Sequence, residues 1–252
     1  MLEANQPYLR GRRLRIFAGP NGSGKSTVFD KINSKYDVGI YLNSDNLEKD
    51  LKAQNPINFS NFSINNIDIN YFNTFILNHS LTKKAQDSGY SINLEIVNNS
   101  LLTKNSETNS YEASIAVDFI RNLLLTNGKK LSFETVMSHH SKIDIINQAN
   151  ANSYKTYLYF VSTNSVDINI DRVKQRVKLG GHNVPEEKIK ERYYKSLELL
   201  KPAVKSSFKS FIFDNSKKEI ELILEVENGM KVTNSSNYIP KWVDEYLINK
   251  KL

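Results

Sequence analysis

Residues Gly19–Ser26 read GPNGSGKS and fill every fixed position of the pattern G-x-x-x-x-G-K-[ST]. Each residue type has a physical reason to be there. Glycines let backbone N–H groups turn inward around phosphate oxygens, the lysine supplies a point charge for the β and γ phosphates, and the serine hydroxyl suits Mg²⁺. The loop sits between Leu14–Ala18 (LRIFA), a short apolar run that reads as a buried strand, and Thr27–Ile32, which continues as a helix. That helix adds its positive N-terminal end to the site. The strand–loop–helix context predicts a P-loop NTPase fold that binds ATP and Mg²⁺. Its nucleotide-binding candidates are Gly19, Pro20, Asn21, Gly22, Ser23, Gly24, Lys25, Ser26 and Thr27, with Ser26 the Mg²⁺ ligand.

The rest of the chain alternates in the same way. Gly39–Leu42 (GIYL) is a second strand, followed by a turn at Asn43–Asp45 and a helix to Lys52. From about 64 to 127 the pattern is mostly helical, broken near Gly89 and by the polar loop Thr103–Ser110 (TKNSETNS). Leu131–Met137, Tyr154–Ser162 and Phe208–Phe213 read as further strands, with a helix over Lys142–Asn150. Ile168–Leu179 and Glu186–Val204 form a helical pair hinged at Gly180–Gly181. Ile220–Val232 suits a hairpin turning at Asn228–Gly229, and Pro240–Asn249 a last helix with Pro in its first turn. Strands alternating with helices predict an α/β fold with a mainly parallel sheet covered by helices on both faces. No Pro- or Gly-rich linker divides the 252 residues, so the expectation is one domain over 1–252. It carries a helical insertion at about 60–128 and a helical lid at about 168–204.

Composition narrows the function classes. No apolar run approaches the roughly 20 residues needed to span a bilayer. Arg10, Arg12, Arg13 and Arg15 precede an apolar stretch too short for a secretory signal. The absence of Cys excludes disulfides and thiolate metal sites, and a cytoplasmic location with no membrane partner is expected. The formal net charge of +7 suits polyanionic substrates, but no dense Lys/Arg block with interleaved aromatics speaks for nucleic acid. Only eight of the 34 basic residues are Arg, so their positions are informative.

ATPases, GTPases and small-molecule kinases share the glycine loop. An ABC-type ATPase needs an L-S-G-G-Q-like signature, which is absent, and Asn249–Lys250 has no Asp two residues on for a guanine-reading N-K-x-D. Asp45 closes the second strand, where ligands of open α/β sheets gather, and could take a proton from an attacking hydroxyl. Ser44 and Asp45 equally suit a helix N-cap. Glu134 stands in an otherwise apolar strand and needs a cation, an Mg²⁺-bound water or a substrate hydroxyl as partner, unless it lies on a solvated face; Thr135 beside it could add a hydroxyl. Arg172 and Arg176 share a helix face, and Arg192 lies on the next arm. Three of eight arginines around a Gly-Gly hinge suit a lid that clamps a transferring phosphoryl group; the alternative is an exposed hairpin with solvated charges. His182 reads as a packing residue, and no metal beyond Mg²⁺ is supported.

The loop, together with Leu42–Asp45 (LNSD), Phe133–Ser138 (FETVMS), Arg172–Tyr193 (RVKQRVKLGGHNVPEEKIKERY) and Asp214–Ser216 (DNS), resembles the zeta toxin family of kinases over about residues 14 to 216. The nearest branch is the chromosomal one also labelled predicted ABC-type ATPase. The resemblance implies a kinase-like fold, ATP as donor, and phosphorylation of the sugar 3′-hydroxyl of UDP-N-acetylglucosamine or a similar small-molecule acceptor. It makes Asp45 the base, with Ser44, Glu134 and Thr135 at the acceptor and Arg172, Arg176 and Arg192 at the phosphates. It brings in an antitoxin protein as candidate partner. The long segment between Asp45 and Phe133 departs from compact members of the family, so the acceptor is the weakest part of the carry-over. A polynucleotide 5′-kinase and a nucleotide-gated switch acting with a protein partner remain the rival readings.

Overall fold

The structure is a computed structural model that describes residues 11–105, 108–181 and 183–249; Arg10, His182, Lys250 and part of the polar loop at Thr103–Ser110 lie outside them. In chain order the strands are β1 (Arg13–Ala18), β2 (Ile40–Leu42), β3 (Ile57–Asn58), β4 (Leu94–Val97), β5 (Ser100–Thr103), β6 (Leu131–Thr135), β7 (Lys155–Ser162), β8 (Lys209–Asp214), β9 (Glu221–Glu227) and β10 (Lys231–Asn234). The helices are α1 (Lys25–Asn33), α2 (Ser44–Lys52), α3 (Ile69–Asn78), α4 (Ser80–Asp87), α5 (Ser110–Thr126), α6 (Ser141–Ala151), α7 (Val166–Lys178), α8 (Glu186–Glu198), α9 (Leu200–Ser206) and α10 (Lys241–Val243). The contacts divide them into two units, one of the described residues up to Gly39 and from Lys130 onward, the other Ile40–Lys129.

In the first unit the strands lie in the order β10-β9-β8-β7-β1-β6. β1 is parallel to both β6 and β7, and β7 is parallel to β8. Parallel strands need long crossovers: α6 leads from β6 past β1 to β7, and the α7–α9 run joins the neighbours β7 and β8. β9 and β10 finish the sheet as the antiparallel hairpin expected at Asn228–Gly229, where both residues adopt positive φ.

Both faces of this sheet are buried. On one face Phe17, Tyr159 and Phe211 stand in register across β1, β7 and β8. Their rings stack at 4.8 and 5.0 Å with nearly parallel planes, and Phe29 of α1 meets Phe17 edge-on at 5.2 Å. Val28 of α1 packs into the same cluster. Because side chains alternate along a strand, Phe160 points to the opposite face, where its ring lies 6.1 Å from that of Trp242 at α10. The mainly parallel sheet with helices on both faces is therefore as expected.

The second unit is built on α5, eleven of whose residues are buried. Phe119 of α5 gathers the rings of Phe59, Phe72 and Phe75 at 6.1, 4.9 and 5.2 Å. The helical insertion expected at about 60–128 is corrected here: the unit also carries an antiparallel sheet, β3-β5-β4. The hairpin between β4 and β5 has a two-residue turn, Asn98–Asn99, with φ of 48° and 58°. Asparagine tolerates the left-handed region, and two such residues in succession fit the right-handed twist of a hairpin.

Phe17 touches α1 and two neighbouring strands, so Phe17→Ala should lower unfolding free energy by about 3–5 kcal/mol, the usual cost of an emptied aromatic site. Urea denaturation followed by circular dichroism checks this.

Candidate functional site

The glycine loop leaves β1 and enters α1 with its backbone wound through positive φ, +74° at Gly22 and +97° at Gly24. Neither position has room for a side chain. A Cβ on Gly22 would stand 2.5 Å from the Asn169 carbonyl oxygen, and one on Gly24 would stand 2.3 Å from the Asn215 side-chain nitrogen. Gly24 is also the N-cap of α1 and offers no side chain to its first amides. A helix end of this kind favours an anion. The Lys25 ammonium donates to the Pro20 carbonyl at 2.9 Å. The Ser23 hydroxyl and the Asn21 side-chain oxygen are buried without a hydrogen-bond partner. The cradle therefore fits a polyphosphate.

Glu134 pairs with Phe17 across β1 and β6, which turns it to the α1 side of the sheet. There it accepts a hydrogen bond from the Ser26 hydroxyl at 3.2 Å. A hydroxyl beside a carboxylate is a hard-oxygen pair that suits Mg²⁺, which commonly takes one or two protein oxygens and completes its shell with phosphates and water. Among the described residues no group of three or more His, Cys, Asp or Glu side chains could hold a metal by itself. Thr135 shapes the end of β6: its hydroxyl accepts from the Met137 N–H at 3.1 Å and its carbonyl from the Gly19 N–H at 3.2 Å.

The lid segment is a helical pair with its own apolar seam, Ile170 and Val173 of α7 against Val184 and Ile189. Gly180 has φ of +84° between the two helices. Arg172 is half-buried, and its Nη1 is buried without a hydrogen-bond partner. Arg176 is exposed and Arg192 of α8 half-buried. The surface charges of the pair are spent on Lys174 and Lys190 around Glu186, at 3.1 and 3.0 Å.

Ser44 and Asp45 open α2 in the second unit, both exposed. The capping role weighed for them is filled by Asn43, whose side chain accepts from the Asn46 N–H at 3.1 Å. Asp45 is thus a first-turn carboxylate directly after a strand end, with no part in the cap.

The chain matches no protein-family model. An uncharacterized protein of Haemophilus influenzae is 38% identical over 60 residues, covering 24% of this chain and 43% of that protein. Among solved structures, the PezAT chromosomal toxin–antitoxin system of Streptococcus pneumoniae aligns over 100% of this chain and 84% of its own, with TM-score 0.51 and 9% identity. AvrRxo1-ORF1:AvrRxo1-ORF2 aligns over 91% of this chain with TM-score 0.54 and 14% identity in its native form, and 0.51 and 15% with ATP. This chain spans 61% of the AvrRxo1 chain's length and under half of the Haemophilus relative's. The likeness shows a fold in common with the PezAT and AvrRxo1 chains. Identity this low shows shared architecture and leaves the reaction to the site itself. No helix among the described residues is long and apolar enough to cross a membrane.

Sequence reasoning missed the residues that hold this loop from behind. Asn215, following β8, donates its amide to the Ser23 carbonyl at 2.8 Å, and its own N–H donates to the Ser162 carbonyl at 2.8 Å. Asn169 of α7, fully buried, donates to the Asn21 carbonyl at 2.6 Å. Asp214 next to Asn215 is fixed by the Trp242 indole N–H at 2.9 Å and by Ser216. The DNS run of the family resemblance contained three of these residues, Asp214, Asn215 and Ser216, and was the available signal.

Gly24→Ala should push a methyl into the Asn215 amide and strain a positive-φ position. Loss of ATP binding by titration calorimetry is expected, with at most about 1–3 kcal/mol of lost stability, the range for a strained backbone.

Proposed function

We propose that this chain is an ATP- and Mg²⁺-dependent kinase that phosphorylates a hydroxyl of a small molecule, with a nucleotide sugar such as UDP-N-acetylglucosamine as the favoured acceptor. The carrying observation is the Ser26–Glu134 contact beside a phosphate cradle that has no room for side chains at Gly22 and Gly24. The nucleotide sugar rests on the zeta toxin resemblance of Leu42–Asp45, Phe133–Ser138 and Arg172–Tyr193.

In this reading Lys25 exchanges its Pro20 carbonyl for the β and γ phosphates. The first amides of α1 bind the phosphate oxygens, and Ser26 and Glu134 would hold Mg²⁺. The Ser26 contact favours this cation-side role for Glu134 over the acceptor contact that the resemblance implies. Bound Mg²⁺ would neutralise charge on the β and γ phosphates and orient them for in-line transfer. Asp45 accepts the proton of the acceptor hydroxyl as its oxygen bonds to the γ-phosphorus and the bond to the ADP oxygen breaks. Arg172, Arg176 and Arg192 act as a lid, meeting the charge that spreads over the transferring group; guanidinium forks suit this better than ammonium groups. PezAT is a toxin–antitoxin system and the AvrRxo1 structure holds two different chains. A regulatory protein partner of antitoxin type belongs to the same proposal.

Two substitutions separate the roles. Lys25→Ala should abolish transfer in a protein that keeps its fold by circular dichroism; near-normal turnover in a folded variant removes the phosphate-loop assignment. Asp45→Asn should leave ATP affinity nearly unchanged while product formation drops ~10²-fold or more, the scale of a lost general base. Mass spectrometry of ATP-dependent products from a metabolite extract, with UDP-N-acetylglucosamine as the first pure acceptor, reads the outcome. Product from a 5′-hydroxyl oligonucleotide and none from small molecules would favour polynucleotide kinase instead. ATP consumption without any phosphorylated acceptor would favour the switch reading.

A further inference from the structure

Asn169 is wholly buried, although a helical polar residue ordinarily faces water, and its carboxamide is used at both ends. Its nitrogen donates to the Asn21 carbonyl at 2.6 Å, and its oxygen accepts from the Thr163 hydroxyl. Thr163 is itself fully buried, and its carbonyl accepts from the Tyr193 hydroxyl of α8 at 2.6 Å. The Tyr193 phenol is pushed up to about 12 by burial, so it remains a donor throughout the accessible pH range. The Asn169 backbone also abuts the loop, since its carbonyl oxygen fills the space a Gly22 side chain would need. One residue of α7 thus touches two consecutive residues of the phosphate loop and connects, through Thr163, to α8. Arg172 stands three positions on, one helical turn further along the same side of α7. Its Nη1 is buried without a hydrogen-bond partner.

We propose that Asn169 is a positioning residue that couples the phosphate loop to α7, so that ATP on the loop orders the helix that carries Arg172. This rests on the kinase reading above and goes beyond it. The loop peptides at Asn21 and Gly22 are the ones that must settle when phosphates arrive. A helix pinned to them by a side chain and a backbone contact settles with them, because a helix transmits displacement as a rigid rod over one turn. Asparagine suits this position because one short planar group gives a donor to the loop and an acceptor to Thr163 at once. Aspartate has the same shape but would set a carboxylate oxygen against the Asn21 carbonyl.

Hydrogen exchange with and without ATP and Mg²⁺, at concentrations saturating each protein, reads this coupling without knowledge of the acceptor. In the wild type, ATP should protect the amides of Gly22–Thr27 and also those of Ile170–Lys178. In Asn169→Ala, Asn169→Asp and Thr163→Val the loop should still gain protection, while the gain in α7 falls by about tenfold, a usual size for coupling between sites. A merely structural role would lower protection with and without ATP alike and leave the gain intact. Thr163→Val keeps volume and leaves Asn169 in place, so it serves if the Asn169 variants fail to fold. A protected loop with an equal α7 gain in the variants overturns this inference alone. A wild-type loop that ATP does not protect overturns the kinase reading and this inference with it.

Discussion

A loop that curls its N–H groups around an anion turns its carbonyls outward, and buried carbonyls need donors of their own. Here the carbonyls of Pro20, Asn21 and Ser23 receive them from the side chains of Lys25, Asn169 and Asn215. These hydrogen bonds fix the loop, and each one recruits a different part of the first unit. Lys25 belongs to α1, Asn169 to α7, and Asn215 to the end of β8. The loop is therefore held by elements far apart in sequence, and its shape depends on the whole unit having folded. Losing Asn169 or Asn215 would take the side-chain donor from a loop carbonyl, which costs about 1–3 kcal/mol, whereas the Pro20 carbonyl keeps the Ser23 N–H at 3.3 Å when Lys25 leaves.

The sheet makes those three anchors converge. β1 is flanked by β6 and β7, so its carboxyl end delivers the loop between the ends of two other strands. The parallel direction of β6, β1, β7 and β8 puts Thr135, Ala18, Ser162 and Asp214 at the same edge, and each contributes to or adjoins the site. The stacked ladder of Phe17, Tyr159 and Phe211 keeps these strands in register. A slip by one residue would send the ladder to the other face and Glu134 away from Ser26. Beneath the ladder Arg15 lies over the Tyr157 ring at 5.5 Å, a buried cation that the aromatic face partly compensates.

Much of this is legible in the sequence because the signals are local. The glycine loop, its flanking strand and helix, the Asn228–Gly229 hairpin and the Gly180–Gly181 hinge all announce themselves within a few residues. The β4–β5 hairpin is also local, but its turn uses Asn98–Asn99 in place of glycine, and Leu94–Val97 and Ser100–Thr103 are too short to outweigh the helical stretches around them. Asn43 escapes notice as a cap because Ser44 and Asp45 compete for the same role in any sequence pattern. Asn169 and Asn215 are illegible for a deeper reason. The chain is rich in asparagine, and nothing in composition or periodicity distinguishes one that faces water from one that satisfies a distant carbonyl. Their partners lie 148 and 192 positions away.

Glu134 raises the question of why a carboxylate should stand at the mouth of a cradle for phosphates. Two like charges a few ångströms apart repel by several kcal/mol at the effective dielectric of a protein surface. Lys25 alone cannot offset both a triphosphate and Glu134, and Ser26 is uncharged. In the proposed reading a divalent cation held by Ser26 and Glu134 would reverse the sign of the contact and make Glu134 an orienting group instead of an obstacle. The Ser26–Glu134 hydrogen bond then has a second use. It would keep hydroxyl and carboxylate together ahead of an ion, so that little side-chain entropy would remain to be lost on binding. The proposed reaction also gives the arginines a use. In that reading the loop's own charge goes to the ground-state phosphates, and charge developing during transfer would have to be met from outside the loop. α7 and α8 are where this lysine-rich chain has placed three of its eight guanidinium groups.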